Sequence, residues 1–276
     1  MSRKDARHLK EIDSFQGFYT FLMPKRTQSV CWNVIQADAS RFLYFLNEKK
    51  QEGHDITIFQ LVIAALLRTA SQYPEMNRFI YRHKFYARKE YTISFAVNLG
   101  VKTVMRKVWL EPEYNVFTVS EKLREIVGET YKSPEDSLDN SVVFLMKLPA
   151  FITSLITKVY PWLIDKGLIP WKFVKDDVLY SSALVSNLGT FGLNAPFHHL
   201  YEWGSTSVFV TIGVMHKAPV VSADNTLKVS DVIDFGFTID ERICDGKKLS
   251  DALKFFKKCI EDPWLLECAP EKVVRE

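Results

Sequence analysis

The sequence predicts an α/β fold, strands together with helices, and three stretches carry that prediction. Over residues 232–240, Ile233, Phe235, Phe237 and Ile239 alternate with Asp234, Gly236, Thr238 and Asp240. That is the period of a strand with one buried face. Over residues 248–261, Leu249, Ala252, Leu253, Phe256 and Ile260 form one apolar stripe of a helix, stopped by Asp262-Pro263. Residues 61–70 are apolar nearly all round, which marks a buried helix.

The remaining elements follow in chain order. The apolar run 18–23 reads as a short strand stopped by Pro24, and residues 30–36 alternate weakly as another. Asp38 or Ser40 suits the N-cap of a helix over 41–50, whose stripe is Phe42, Leu43, Phe45 and Leu46. Thr57 and Gln60 form a capping box ahead of the buried helix, which Pro74 ends. Residues 81–89 interleave Arg82, His83, Lys84, Arg88 and Lys89 with Phe85 and Tyr86. A solvated hairpin is the simpler reading there; contact with a phosphate-bearing ligand is the other. Residues 91–97 and 102–109 read as strands, and 119–130 as an amphipathic helix. A strand over 207–215, a loop around 223–225 and a strand from 226 make a hairpin.

Residues 142–171 are the most apolar stretch. Pro149, Pro161 and Pro170 cut it into pieces of about ten residues, the length of short helices that cover a core or line a pocket. We expect it to pack on the protein's own core and shape an acceptor site, since large apolar patches are rare on soluble monomers. A place on a membrane surface is the competing reading, opposed by the prolines and the lack of a basic face.

Composition narrows the function classes. The 276 residues suffice for one large or two modest domains, and a net charge of +3 gives no support to nucleic-acid binding. The four cysteines lack C-x-x-C spacing, which suits reduced thiols in a cytoplasm. The N-terminus lacks the apolar core of a signal peptide, and no charge-free apolar run reaches the ~18 residues of a membrane span. His198-His199 has no Cys or carboxylate at ligand spacing, and adjacent residues of an extended chain face opposite ways, so no metal site is expected.

Two motifs bear on chemistry. D-E-R-I-C-D-G over 240–246 ends the alternating strand with two carboxylates and a guanidinium at a Gly-closed turn, and S-N-L-G-T-F-G over 186–192 is a Gly-bracketed strand exit. On residues alone, the first is equally a solvated junction and the second a turn to which Ser186 bonds itself. Together they resemble the chloramphenicol acetyltransferases and the catalytic domain of the 2-oxoacid dehydrogenase acyltransferases. Those families carry His followed four residues later by Asp-Gly, as in D-H-R-x-x-D-G, and an S-N-L-G-x-x-G turn. The buried helix leading into Pro74-Glu75-Met76-Asn77 and the closing Glu261-Asp262-Pro263 resemble them too. Asp240, Arg242, Asp245 and Gly246 fall in register, and Glu241 stands at the position of the catalytic His.

The resemblance implies a chloramphenicol acetyltransferase-like two-layer sandwich, a mixed β-sheet packed against helices, in a single domain over 1–276 with the likeness strongest over 15–267. Nothing in the sequence matches a lipoyl or subunit-binding domain. It further implies coenzyme A or acyl-coenzyme A as co-substrate, a small hydroxyl, thiol or amine acceptor, no metal, and a homotrimer with active sites between subunits. Glu241 is then the base and Ser186 the oxyanion donor. Asp245 and Gly246 are structural, with Asp245 ion-paired to Arg26. Strand alternation turns Arg242 away from Glu241, whereas a turn that breaks the alternation brings it inward. A catalytically inactive relative, kept as a trimeric scaffold or binding protein, is the second reading. Glu241 favours the inactive relative; the retained Ser186, Asp245 and Gly246 favour the enzyme.

Overall fold

The computed structural model describes residues 5–100, 102–132, 145–166, 168–221 and 225–276. A seven-stranded mixed sheet dominates. Its strands are β2 (Val30–Asp38), β5 (Tyr91–Asn98), β6 (Thr103–Leu110), β7 (Ala183–Asn187), β8 (Val208–Ile212), β9 (His216–Val221) and β10 (Leu227–Asp240). They run in the order β2-β10-β8-β7-β5-β6, with β9 on the first half of β10. The β5–β7 and β7–β8 pairs are parallel and the others antiparallel. A small second sheet joins β1 (Ala6–Leu9), β4 (Lys84–Arg88) and β3 (Arg78–Tyr81). Its β3–β4 hairpin turns through Arg82 and His83, both at positive φ, so residues 81–89 do form the expected hairpin.

One face of the large sheet carries the core. Phe235, Phe237 and Ile239 of β10 lie beside Ile212, Val210 and Val208 of β8, and all are buried. Against them pack α2 (Ser40–Gln51), α3 (Ile58–Gln72), α4 (Val116–Lys132) and α6 (Gly246–Glu261), through Phe45, Leu61, Val119 and Phe256 among others. The Phe256 ring meets Phe235 and Phe237 edge-on, at 5.3 and 5.1 Å. The capping box is formed: the Thr57 Oγ1 accepts from the Gln60 N–H and the Gln60 Oε1 from the Thr57 N–H. Asp38 accepts from the Ser40 N–H at the head of α2.

The structure corrects the sequence reading in four places. Residues 18–23 belong to a helix, α1 (Ser14–Leu22), capped by Asp13, whose Oδ1 accepts from Phe15 and Gln16 N–H. The run was too short for periodicity to separate strand from helix. The hairpin partner of residues 227–232 is β9, and β8 pairs further along β10. His198 and His199 do not point apart, since their ring centroids lie 4.4 Å from each other.

The fourth correction concerns 142–171, of which 142–144 and Gly167 lie outside the described residues. Breaks do fall at Pro149 and Pro170, but Pro161 does not cut the chain, and the stretch does not pack on the main core. Residues 150–165 form one helix, α5 (Ala150–Asp165), running through Pro161 one turn from its end, where a single lost hydrogen bond is tolerated. Only its last turns are seated. Tyr160 stacks on Trp203 at 5.3 Å, and Ile164 joins Val174 and Tyr180 in a satellite cluster. Lys107 of β6 ties down the chain that follows, donating to the carbonyls of Lys175, Asp177 and Tyr180. Phe151, Leu155 and Trp162 are left exposed.

Candidate functional site

The sheet face away from the helices is where the two motifs lie. On β10, Gly236, Thr238 and Asp240 point to this side, opposite the core residues. A loop over 193–206 crosses it. Thr211 Oγ1 donates to the Pro196 carbonyl at 2.6 Å, and His198 stacks on Phe209 with ring centroids 4.1 Å apart. Gly236 permits this crossing, because a Cβ there would stand 2.6 Å from Thr211 Oγ1 and 2.9 Å from the Pro196 carbonyl oxygen.

Asp240 is fully buried at the end of β10 and is the hub of the 240–246 turn. Its Oδ1 accepts from Ser29 Oγ at 2.9 Å and Arg242 Nε at 2.8 Å, and its Oδ2 from Arg242 Nη2 at 2.7 Å. Arg26 Nε approaches Oδ2 at 3.9 Å. The rest of the Arg26 guanidinium donates to the carbonyls of Tyr201 and Gly204. Glu202 accepts from the Arg26 and Thr27 N–H groups and from the Thr27 hydroxyl. Burial pushes the Arg26 pKa down while Asp240 and Glu202 pull it up, and an arginine keeps its charge throughout. Arg242 Nη1 reaches the Met23 carbonyl, and Gln16 Nε2 donates to the Arg242 carbonyl, so α1 clasps the turn from outside.

This arrangement corrects two expectations. Arg26 pairs with Asp240 rather than Asp245. Asp245 is exposed and caps α6, its Oδ1 accepting from the Lys248 N–H at 2.9 Å. The N–H groups of that first turn hold its carboxyl below the usual range. Arg242 does not turn away, because β10 stops at Asp240 and a tight turn over Glu241–Ile243 ends the alternation. A carboxylate two residues before an arginine, at a strand end, was the signal that sequence reasoning passed over.

Glu241 is the exposed member of the turn. Its N–H donates to the Ser29 carbonyl at 2.9 Å, and its carboxylate makes no hydrogen bond or ion pair among the described residues. Cys244 is no alternative nucleophile, since burial pushes its thiol up to about 12. A Cβ on Gly246 would meet nothing within 4 Å in the single chain.

Ser186 stands at the far end of β7, half-buried. Its hydroxyl has no partner among the described residues, so it is not spent on its own turn. That turn is tight: a Cβ on Gly189 would lie 2.4 Å from the Gly213 carbonyl oxygen, and Gly192 takes φ 72°. In register, Ser186 neighbours Thr211, and Thr211 neighbours Gly236. Glu241 lies five residues beyond Gly236, about 16 Å along the strand, and two strands over. One chain therefore does not bring Ser186 and Glu241 together; they occupy opposite ends of one sheet. Apolar side chains also lie bare here: Trp32 (57% exposed) and Val34 on the edge strand β2, with Leu193 and Phe197 in the covering loop and Phe191 in the turn before it. Among the described residues, no group of three or more His, Cys, Asp or Glu is placed to hold a metal ion.

This sheet, with helices on one face and both motifs at strand ends on the other, defines the chloramphenicol acetyltransferase-like acyltransferase fold. The chain aligns with a chloramphenicol acetyltransferase at TM-score 0.55 and 13% identity, over 93% of this chain and 98% of that one. It aligns with a probable dihydrolipoamide acetyltransferase from Listeria monocytogenes 4b F2365 at TM-score 0.61 and 17% identity, over 92% and 94%. Residues 172–268, which include both motifs, match the family described as 2-oxoacid dehydrogenases acyltransferase (catalytic domain). The chain is also 21% identical over 241 residues to the lipoamide acyltransferase component of the branched-chain alpha-keto acid dehydrogenase complex of Bacillus subtilis (strain 168). That match covers 83% of this chain and 46% of the relative, so the chain spans about half the length of the curated protein it matches. Residues 172–268 are thus similar in sequence to the acyltransferase catalytic domain of 2-oxoacid dehydrogenase type, and the whole described chain shares its fold.

Proposed function

We propose that the protein transfers an acyl group between coenzyme A and a small acceptor, at sites shared between copies of the chain in a homotrimer. The carrying observation is the separation of the two motifs. Ser186 and Glu241 each lie half-buried or exposed with unspent side chains, at opposite ends of a sheet whose face is lined with bare aromatics. Packing that face against a neighbour buries Trp32 and Phe197 and lets the Glu241 turn of one copy meet the Ser186 turn of the next.

The chemistry then runs as follows. The Glu241 carboxylate takes the proton of the acceptor thiol, hydroxyl or amine as that atom attacks the thioester carbonyl. The Ser186 hydroxyl of the neighbouring copy donates to the resulting oxyanion, an interaction that contributes about 3 kcal/mol in comparable sites. Collapse breaks the carbon–sulfur bond, and the coenzyme A thiolate leaves with the proton held by Glu241. An ordinary Glu, near ~4.3, is a weaker base than a His near ~6.5, so acceptors with acidic protons such as thiols should react best.

Mixing tests the shared site. Ser186→Ala and Glu241→Gln should each abolish coenzyme A release from acetyl-coenzyme A with a thiol acceptor. Co-refolded together, they should regain about one site in four by random assembly. Recovery of none, with both variants oligomeric, overturns the shared site. A second reading, a catalytically inactive scaffold, rests on Glu241 replacing the family's His. It prevails if the wild type turns over no acyl-coenzyme A and Glu241→Gln behaves identically.

A further inference from the structure

Helix α5 presents an apolar face that the fold leaves bare. Phe151 is 73% exposed and Trp162 42%; with Leu155 and Val159 they form the stripe i, i+4, i+8, i+11 on the side away from the satellite cluster. Met146, Leu168 and Phe173 extend the exposed apolar surface beyond both helix ends. Charge accompanies it. Residues 145–177 carry Lys147, Lys158, Lys166, Lys172 and Lys175 against three acids, Asp165, Asp176 and Asp177, and only Asp165 of these lies on the helix. Helical spacing places Lys158 beside Phe151 and Leu155, and Lys166 stands over the Trp162 ring at 5.9 Å. The basic face missed in the sequence is thus made by lysines on flexible stems around an apolar stripe.

A helix of 16 residues interrupted by Pro161 is not a membrane span, and none among the described residues is long and apolar enough to be one. Its composition is that of a helix lying in a bilayer surface, with aromatic and aliphatic side chains inserted and lysines reaching back to the headgroups. A trimer partner fits less well. A copy of this chain would set the same lysines against their own kind, unless it offered an acidic surface, whereas an anionic bilayer complements them all.

We propose that α5 docks the protein on an anionic lipid surface, Phe151, Leu155 and Trp162 entering the interface and the surrounding lysines binding the headgroups. This is independent of the acyl-transfer reading, and its test needs no activity.

Cosedimentation of the full chain with mixed phosphatidylcholine–phosphatidylglycerol vesicles, against pure phosphatidylcholine vesicles, measures it. Binding should favour the mixed vesicles by at least about tenfold and fall as salt is raised. The double variant Phe151→Glu, Leu155→Glu should lose binding by on the order of a hundredfold, and Lys158→Glu, Lys166→Glu by at least about tenfold. These side chains are exposed, so both variants should keep the wild-type thermal midpoint. Should a variant misfold, hydrogen exchange on the wild type decides: vesicles should protect residues 150–165 selectively. Failure to bind mixed vesicles, equal binding to neutral ones, or binding unchanged in the apolar variant overturns the proposal. So does a variant that changes oligomeric state and not lipid binding, since the face then belongs to a second copy.

Discussion

Two aspartates five residues apart have opposite assignments in this chain. Asp240 is buried under Arg242, Arg26 and Ser29, whereas Asp245 is a solvent-facing helix cap. Removing the buried carboxylate leaves two guanidinium groups without their anion, so Asp240→Asn should destabilise by about 3–5 kcal/mol. Asp245→Ala should cost only about 1 kcal/mol, the ordinary value of an N-cap. Urea unfolding of the two variants side by side measures the difference, and equal losses would reverse the assignment. The cysteines separate as clearly. Cys244 and Cys259 are buried, with thiols pushed up to about 12, while Cys268 is exposed. The thiolate is the reactive form. Iodoacetamide at neutral pH should therefore label Cys268 and spare Cys244 and Cys259 until the protein is unfolded, as read by peptide mass spectrometry.

At the scale of elements, what the sequence made legible was whatever local chemistry decides. The Thr57–Gln60 box, the stripe of α6 and the alternation of β10 each depend on residues within one or two turns of one another, and each formed as read. The failures depend on distant partners. Whether 18–23 is strand or helix is settled by α1 reaching the Arg242 turn, 226 residues away through Gln16. The direction of Arg242 is settled by a buried anion, and the exposure of α5 by how little of the fold lies beside it. The β9 strand was hidden by Pro219 inside it, tolerated where its N–H is not needed for the ladder. The turn carrying Ser186 offers a check at this scale. Gly189→Ala places a methyl against the backbone of Gly213, which cannot yield as a side chain does. The variant should lose about 2 kcal/mol or more, and acyl transfer should drop further than stability explains, because the turn itself must move.

For the molecule as a whole, the proposed assembly rests on the exposed face of β2. Trp32 and Val34 stand on an edge strand whose outer hydrogen-bonding groups have no partner strand among the described residues. Such an edge, with bare apolar side chains beside it, invites a neighbour. Light scattering at micromolar protein should give the mass of three chains. Trp32→Asp should give one, with the circular dichroism of the fold retained. A wild-type monomer would remove the basis for a site shared between copies.

The knot around Asp240 also has a bearing on the order in which the chain folds. It joins residue 26 to Tyr201, 175 positions away, and Ser29 to Asp240, 211 away. Closing loops of that size costs entropy long before the buried charges compensate one another. Pairing of β2 with β10 closes loops as long, but the knot also needs Met23, Tyr201 and Gly204 from segments outside the sheet, so we expect the turn that carries Glu241 to set after the core strands have paired. Weakening it should leave the refolding rate nearly unchanged and speed unfolding instead. Stopped-flow chevrons of Asp240→Asn would then show the whole loss on the unfolding arm, making this corner the clasp that keeps the finished protein from reopening.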